Sequence, residues 1–98
     1  LPPGSGSLDF RETYRAQVLP ALQAFAPQLL LVSAGFDAHR LDPLAGLDLG
    51  APDYAWVTTE LVALAARHGA PLVSALEGGY SLTALRESTT AHCRALFA

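Results

Sequence analysis

The chain has 98 residues, a formal net charge of −3, 51% hydrophobic residues and a single cysteine. That is one domain's worth of sequence. It excludes the basic footprint of a nucleic-acid binder, a membrane span of roughly 20 apolar residues, and a disulfide framework or cysteine-built zinc site. With a lone Cys93 and no signal peptide visible in these residues, the expectation is a reducing, cytoplasmic setting.

Leu1 to Ser7 consists largely of Pro, Gly and Ser and reads as a loop. Ser7 or Asp9 can cap a first helix, and Asp9 and Glu12 stand at capping-box spacing. Phe10, Tyr14, Val18, Leu22 and Phe25 recur near the helical period and define a buried stripe. Pro20 falls inside that stripe. It lacks an N–H and its ring crowds the preceding turn, so a kink or break near Val18 is expected. Pro27 ends the element, and Gln28 to Ser33 is the first strand, built on the apolar run Leu29 to Val32.

Asp37 to Gly50 contains Pro43, Gly46 and Gly50 without a sustained period, and reads as a long functional loop. A second helix follows with Pro52 in its first turn, where a missing N–H does no harm. Tyr54, Val57, Leu61 and Leu64 form its core stripe, Trp56 flanks it, and Gly69 caps it after Arg67 and His68. Pro71 to Leu76 is the second strand, with Leu72 to Leu76 at its heart. Ser81 caps a third helix, with Leu82, Leu85, Leu96 and Phe97 expected inside.

The strand–helix–strand unit predicts a parallel, right-handed crossover, which brings both strand-end loops to one edge of the sheet. Both strands are continuous apolar runs, the pattern of strands covered on two faces. Two strands and three helices cannot supply that cover, and the chain has no Met. The expectation is a segment of a larger α/β domain.

Ligands of parallel sheets bind beyond the carboxyl ends of the strands, so Ser33 to Leu44 and Glu77 to Tyr80 are where chemistry is expected. Asp37 is a hard oxygen donor on a rigid element and can hold a metal; it can equally cap a turn or pair with Arg40. His39 makes an Asp-x-His pair with it, although a catalytic zinc takes three protein ligands and an open position. His68 suits a helix C-terminus facing the dipole, and His92 suits a hydrogen-bonded structural role. Gly78 and Gly79 let backbone approach a ligand or adopt positive φ. Tyr80 can aim its phenol at a developing oxyanion or pack its ring on the next helix. Neither a P-loop nor a dinucleotide fingerprint is present.

Taken in order, Ser33-Ala34-Gly35-Phe36-Asp37-Ala38-His39-Arg40, Asp42-Pro43-Leu44 and Glu77-Gly78-Gly79-Tyr80 resemble the C-terminal part of the histone deacetylase superfamily. The form is closest to its class II and bacterial deacetylase-like branch, which includes acetylpolyamine amidohydrolases. Leu19-Pro20 through Phe25, Pro27 and the Leu29–Val32 strand resemble the family's preceding helix and strand, and Glu87-Ser88 with the helix to Leu96 resembles its closing helix.

The resemblance implies the α/β class: residues 1–98 would be the C-terminal segment of a single deacetylase domain with a three-layer α/β/α, parallel-sheet, arginase-like fold. It also implies zinc-dependent hydrolysis of an N-acetyl amide, on an acetyl-lysine protein or on an acetylated amine or polyamine. Asp37 would be a zinc ligand and Tyr80 the donor to the oxyanion. Gly78 and Gly79 would shape the acyl channel, and Leu44 would line its wall. His39 is no ligand in this pattern. The other two zinc ligands and a tandem His pair would lie N-terminal, and nothing between Leu1 and Ser33 matches them, so the isolated chain is expected to be inactive.

Two positions depart from the family pattern. Leu41 stands where Gly or a polar residue is common, which exposes an apolar side chain. Gly50 replaces a Ser or Thr cap, at a cost of roughly a few tenths of a kcal/mol. The competing reading is a non-catalytic α/β interaction or assembly module derived from the same fold. Uncovered sheet edges offer it a route to oligomers, while nucleic acid and membrane are not expected partners.

Overall fold

A computed structural model describes residues 1–98. Helix α1 (Ser7–Thr13) runs through a π-helical turn (Tyr14–Val18) into α2 (Leu19–Phe25). Strand β1 (Leu30–Ala34), helix α3 (Ala51–Arg67), strand β2 (Leu72–Leu76) and helix α4 (Leu82–Leu96) follow. The two strands pair in parallel, from Leu30 opposite Leu72 to Ala34 opposite Leu76, with α3 in the connection between them. No helix is long and apolar enough to cross a membrane.

The first helix shows how the backbone absorbs a proline. The Leu19 amide bonds back to the Tyr14 carbonyl, one residue further than in an α-helix. A wider turn just ahead of Pro20 relieves the crowding between its ring and the preceding turn. The helix therefore continues where a kink or break was expected. Its N-cap is Gly6, neither Ser7 nor Asp9; the Gly6 amide donates to Asp9 Oδ2 at 3.3 Å, and the Ser7 hydroxyl turns to Asp53. The C-cap is Ala26, in the left-handed region at φ 55°, with Pro27 directly after it. Phe25 lies at this last turn and is exposed, whereas Phe10, Tyr14, Val18 and Leu22 are only half-buried. The expected buried stripe is therefore a partly buried one.

The core sits between α3 and one face of the strand pair. Leu30 packs with Val57, Leu61 and Ala65, and Ala34 packs with Phe36, Leu49 and Tyr54. Tyr54, Val57, Leu61 and Leu64 are all buried, as the α3 stripe predicts. On the other face Leu31 and Val73 are exposed. The apolar strands thus have cover on one side only within this chain.

Helix α4 departs from its expected pattern. Leu82 and Phe97 are exposed and Leu85 and Leu96 half-buried, while Ala84, Ser88 and His92 are buried. Those three residues are spaced four apart and so share one helical face. Leu82 and Phe97 lie at the two ends of the helix. The Ser81 cap is as expected, its hydroxyl accepting the Ala84 amide at 3.3 Å.

Candidate active site

The two strand-end loops leave the sheet side by side. The Glu77 amide donates to the Ala34 carbonyl at 3.0 Å, and the Phe36 amide donates to the Gly78 carbonyl at 2.8 Å. Backbone pairing therefore persists past both strands and delivers Asp37 next to Gly78. A Cβ on Gly78 would lie 3.1 Å from Asp37 Oδ2, and one on Gly35 would lie 3.3 Å from Oδ1. Glycine at both positions leaves room for the Asp37 carboxylate.

Asp37 is half-buried, and the chain's two ion pairs, Arg11–Asp53 and His39–Glu87, leave it out. The pairing with Arg40 considered from sequence does not form; the guanidinium instead crosses Gly50, where a Cβ would lie 2.8 Å from Nη1. A half-buried carboxylate without a cationic partner at a strand end suits a cation ligand, and Asp37 fits that role in a zinc site. No group of three His, Cys, Asp or Glu side chains that could hold a metal ion occurs in the chain. Asp37 thus offers one oxygen donor, and the chain alone provides no complete metal site.

Asp42 and Tyr80 join the loops. The Tyr80 amide donates to Asp42 Oδ2 at 2.8 Å, and the Leu44 amide donates to Asp42 Oδ1 at 2.9 Å. Burial works against the Asp42 charge, yet the backbone amides of Leu44, Tyr80 and Ala45, with His39 nearby, hold its carboxyl below the ordinary range. The Tyr80 and Leu44 side chains are exposed. Gly79 sits at φ 142°, and a Cβ there would come within 3.0 Å of Leu85 Cδ1. Its backbone is one that L side chains rarely adopt, which ties glycine to the turn before Tyr80. Asp37, Gly78, Gly79, Tyr80 and Leu44 thus share one edge of the sheet.

His39 is fully buried and points away from this edge. Its Nε2 meets Glu87 Oε1 on α4 at 2.6 Å, and its Nδ1 accepts the Leu41 amide at 3.1 Å. An acceptor Nδ1 assigns the proton to Nε2, so both ring nitrogens are engaged. The Asp-x-His pair read in the sequence does not converge on a common ligand.

His92 is also structural. The Thr58 hydroxyl gives its one proton to the Tyr54 carbonyl at 2.6 Å, so Thr58 Oγ1 accepts from His92 Nδ1 at 2.8 Å. His92 Nε2 then accepts from the Ser74 hydroxyl at 2.8 Å. Burial pushes the His92 pKa down, in keeping with a neutral ring. His68 is the backbone C-cap of α3, and its Nε2 is buried without a partner.

Three buried polar groups make contacts that the sequence did not reveal. Asp53 accepts from Ser7 Oγ, from Arg11 Nε at 3.0 Å and from the Gly50 amide at 3.0 Å, so it both completes the α3 cap and ties α1 to α3. That contact stands in for the side-chain cap that Gly50 lacks. Asp42 is an Asx-type residue before proline, a turn signal, but its reach to Tyr80 crosses 38 positions. The Tyr54 hydroxyl is buried without a hydrogen-bond partner, and the Ala38 amide approaches it short of hydrogen-bond geometry. Burial, followed by the charge of Asp37, pushes the Tyr54 pKa up.

Comparison with known proteins bears on the fold and the family. The histone deacetylase domain family matches residues 1–96. The chain is 41% identical over 97 residues to histone deacetylase 14, chloroplastic, of Arabidopsis thaliana, covering 98% of this chain and 23% of that protein. It is 42% identical over 96 residues to histone deacetylase 10, chloroplastic, of Oryza sativa subsp. japonica, covering 97% and 22% respectively. Among solved structures, the HDA15 HD domain superposes with a TM-score of 0.88 at 39% identity, over 97% of this chain and 26% of that one. The histone deacetylase Clr3 superposes with a TM-score of 0.87 at 35% identity, over 97% and 16%. The chain spans about a quarter or less of the length of these relatives. Its parallel strand pair, strand-end loops and near-complete match make it a member of the histone deacetylase domain family, with part of the α/β deacetylase fold.

Proposed function

We propose that residues 1–98 are the C-terminal segment of a deacetylase domain, part of a zinc-dependent amidohydrolase that removes acetyl groups from acetyl-lysine or from acetylated amines and polyamines. The observation that carries this reading is the Asp37 carboxylate, half-buried and without a cationic partner, beside the loop that bears Tyr80. Asp37 would hold a zinc ion together with ligands from the rest of the domain, and the ion when bound supplies Lewis-acid polarisation and a more acidic water. Tyr80 donates a hydrogen bond to the acetyl oxygen as negative charge gathers there, an interaction that strengthens toward the transition state. Gly78 and Gly79 keep the floor of the acyl channel free of side chains, and the exposed Leu44 offers an apolar wall to the substrate's methylene chain.

The test uses the full polypeptide that carries this chain. Asp37→Asn is expected to lose bound zinc together with deacetylation. Tyr80→Phe is expected to keep zinc and lose roughly 100- to 1,000-fold in kcat. Full zinc occupancy in the first variant, or unchanged turnover in the second, would overturn the assignment of that residue. One carboxylate cannot hold a catalytic ion, so the 98-residue chain alone should bind zinc no more tightly than its Asp37→Asn form; tight, Asp37-dependent binding would contradict this.

A further inference from the structure

The Asp42 carboxylate forms the only side-chain hydrogen bond between the β1–α3 loop and the β2–α4 loop. It is 8% exposed, and no Arg side chain pairs with it. Its two oxygens are divided between the loops: Oδ1 holds the Leu44 amide and Oδ2 holds the Tyr80 amide. Its own amide donates to the His39 carbonyl at 2.9 Å, and His39 is fixed to α4 through Glu87. The acceptor's backbone is therefore tied to a fully buried residue.

Tyr80 needs such an anchor. It is 60% exposed, so little besides its backbone fixes where the phenol stands. The residue before it is Gly79, at φ 142°, a position with few conformational restraints of its own. On the far side of Gly79, the Gly78 carbonyl is fixed by the Phe36 amide. The Gly79 linkage thus runs between two pins, the Phe36 amide on one side and Asp42 on the other.

We propose that Asp42 is a positioning residue for Tyr80, its carboxylate fixing the Tyr80 amide, and with it the place of the phenol relative to Asp37 and Leu44. This rests on the deacetylase reading above. Both bonds require acceptor oxygens. In Asp42→Asn one of the two is replaced by an amide nitrogen, which donates and cannot receive an N–H. The shape is retained, but whichever of the Leu44 and Tyr80 amides faces the new nitrogen, two N–H groups meet and the junction between the loops is disturbed.

The experiment is a double-mutant cycle on the full polypeptide with an acetyl-lysine peptide as substrate, measuring kcat, KM and zinc content for Asp42→Asn, Tyr80→Phe and the pair. Asp42→Asn is expected to lower kcat roughly 10- to 100-fold, the scale of a misplacement of about 1 Å, with KM and zinc content within about 2-fold of the parent. In the Tyr80→Phe background the same change should cost less than about 2-fold, because the group it positions is already gone. Multiplicative losses, or an Asp42→Asn enzyme with full kcat, would overturn the proposal. If Tyr80→Phe alone leaves kcat unchanged, it is the deacetylase role of Tyr80 that fails. Amide hydrogen exchange on the unmutated protein covers the case in which Asp42→Asn does not fold. The Tyr80 amide should exchange at least about 10-fold more slowly than its unstructured rate, and exchange at the unstructured rate would overturn the proposal.

Discussion

Two regions of this molecule are equally dry and are held together differently. Behind the strands, Leu30, Val57, Leu61 and Ala65 meet through apolar surface alone. Beyond the strand ends, His39, Asp42 and Asp53 are as deeply buried, yet each is placed by directed bonds: to Glu87 and the Leu41 amide, to the Leu44 and Tyr80 amides, and to Ser7, Arg11 and the Gly50 amide. Apolar burial scales with area and has no direction, so it stabilises the fold without fixing the loops to a fraction of an ångström. Hydrogen bonds to buried carboxylates contribute less net stability but are costly to leave unmade. The interior supplies stability, and the strand-end cluster supplies position.

The largest expected effect breaks the interior. Leu64 is 0% exposed, and Leu64→Ala should destabilise the protein by about 3 kcal/mol, from lost transfer energy and the cavity left behind. Chemical denaturation checks this. Once folded, the variant should retain the slow exchange of the Tyr80 amide, since that amide is held by Asp42; loss of that protection alone would merge the two regions into one.

An intermediate effect comes from charge in the polar cluster. Burial opposes ionisation of Asp53, but the Ser7 hydroxyl, the Gly50 amide and Arg11 outweigh it and hold the carboxyl below its ordinary 3.8. The folded state therefore keeps the carboxylate charged more firmly than the unfolded chain does. The stabilisation is complete above the unfolded value and disappears as pH falls through the folded one. Asp53→Asn should cost roughly 1–2 kcal/mol at neutral pH, and its deficit relative to the parent should close in acid. A deficit that stays constant down to pH 2–3 would remove the charge from the account, where about 3.8 marks the onset of the change.

The smallest effect lies at the rim. Glu87 is 44% exposed in its side chain, although its partner His39 is fully buried. Glu87→Gln keeps an oxygen for the His39 Nε2–H and loses only a screened charge, so the change should be about 0.5 kcal/mol or less. A loss of several kcal/mol would show that the pair is a buried ion pair and that the dry polar region extends out to α4.

Much of this arrangement was legible from residue patterns. The Leu29 to Val32 and Leu72 to Leu76 runs announced two strands, though not the one-sided cover they have in this chain. The period of Tyr54, Val57, Leu61 and Leu64 announced α3, and Ser81 announced the start of α4. Both strand-end loops were marked by polar residues that follow an apolar run. The failures have specific physical causes. Helix α4 turned a face of small and polar residues inward because Thr58 and Ser74 supply hydrogen-bond partners for His92, so hydrophobicity alone misplaced Leu82 and Phe97. Pro20 did not break its helix because a π-helical turn absorbed it.

By itself the sequence determined the element order, the parallel pairing and the family, because apolar period and local motifs are written along the chain. Only the tertiary structure decided which polar side chains matter. The sequence set Asp37 and His39 two positions apart, and folding turned one toward the shared edge and the other into the protein. It also brought Asp42 to Tyr80 across 38 positions. The physical reason is that a hydrogen bond depends on the direction of two groups in space, and that direction exists only after the strands have paired and α3 and α4 have packed.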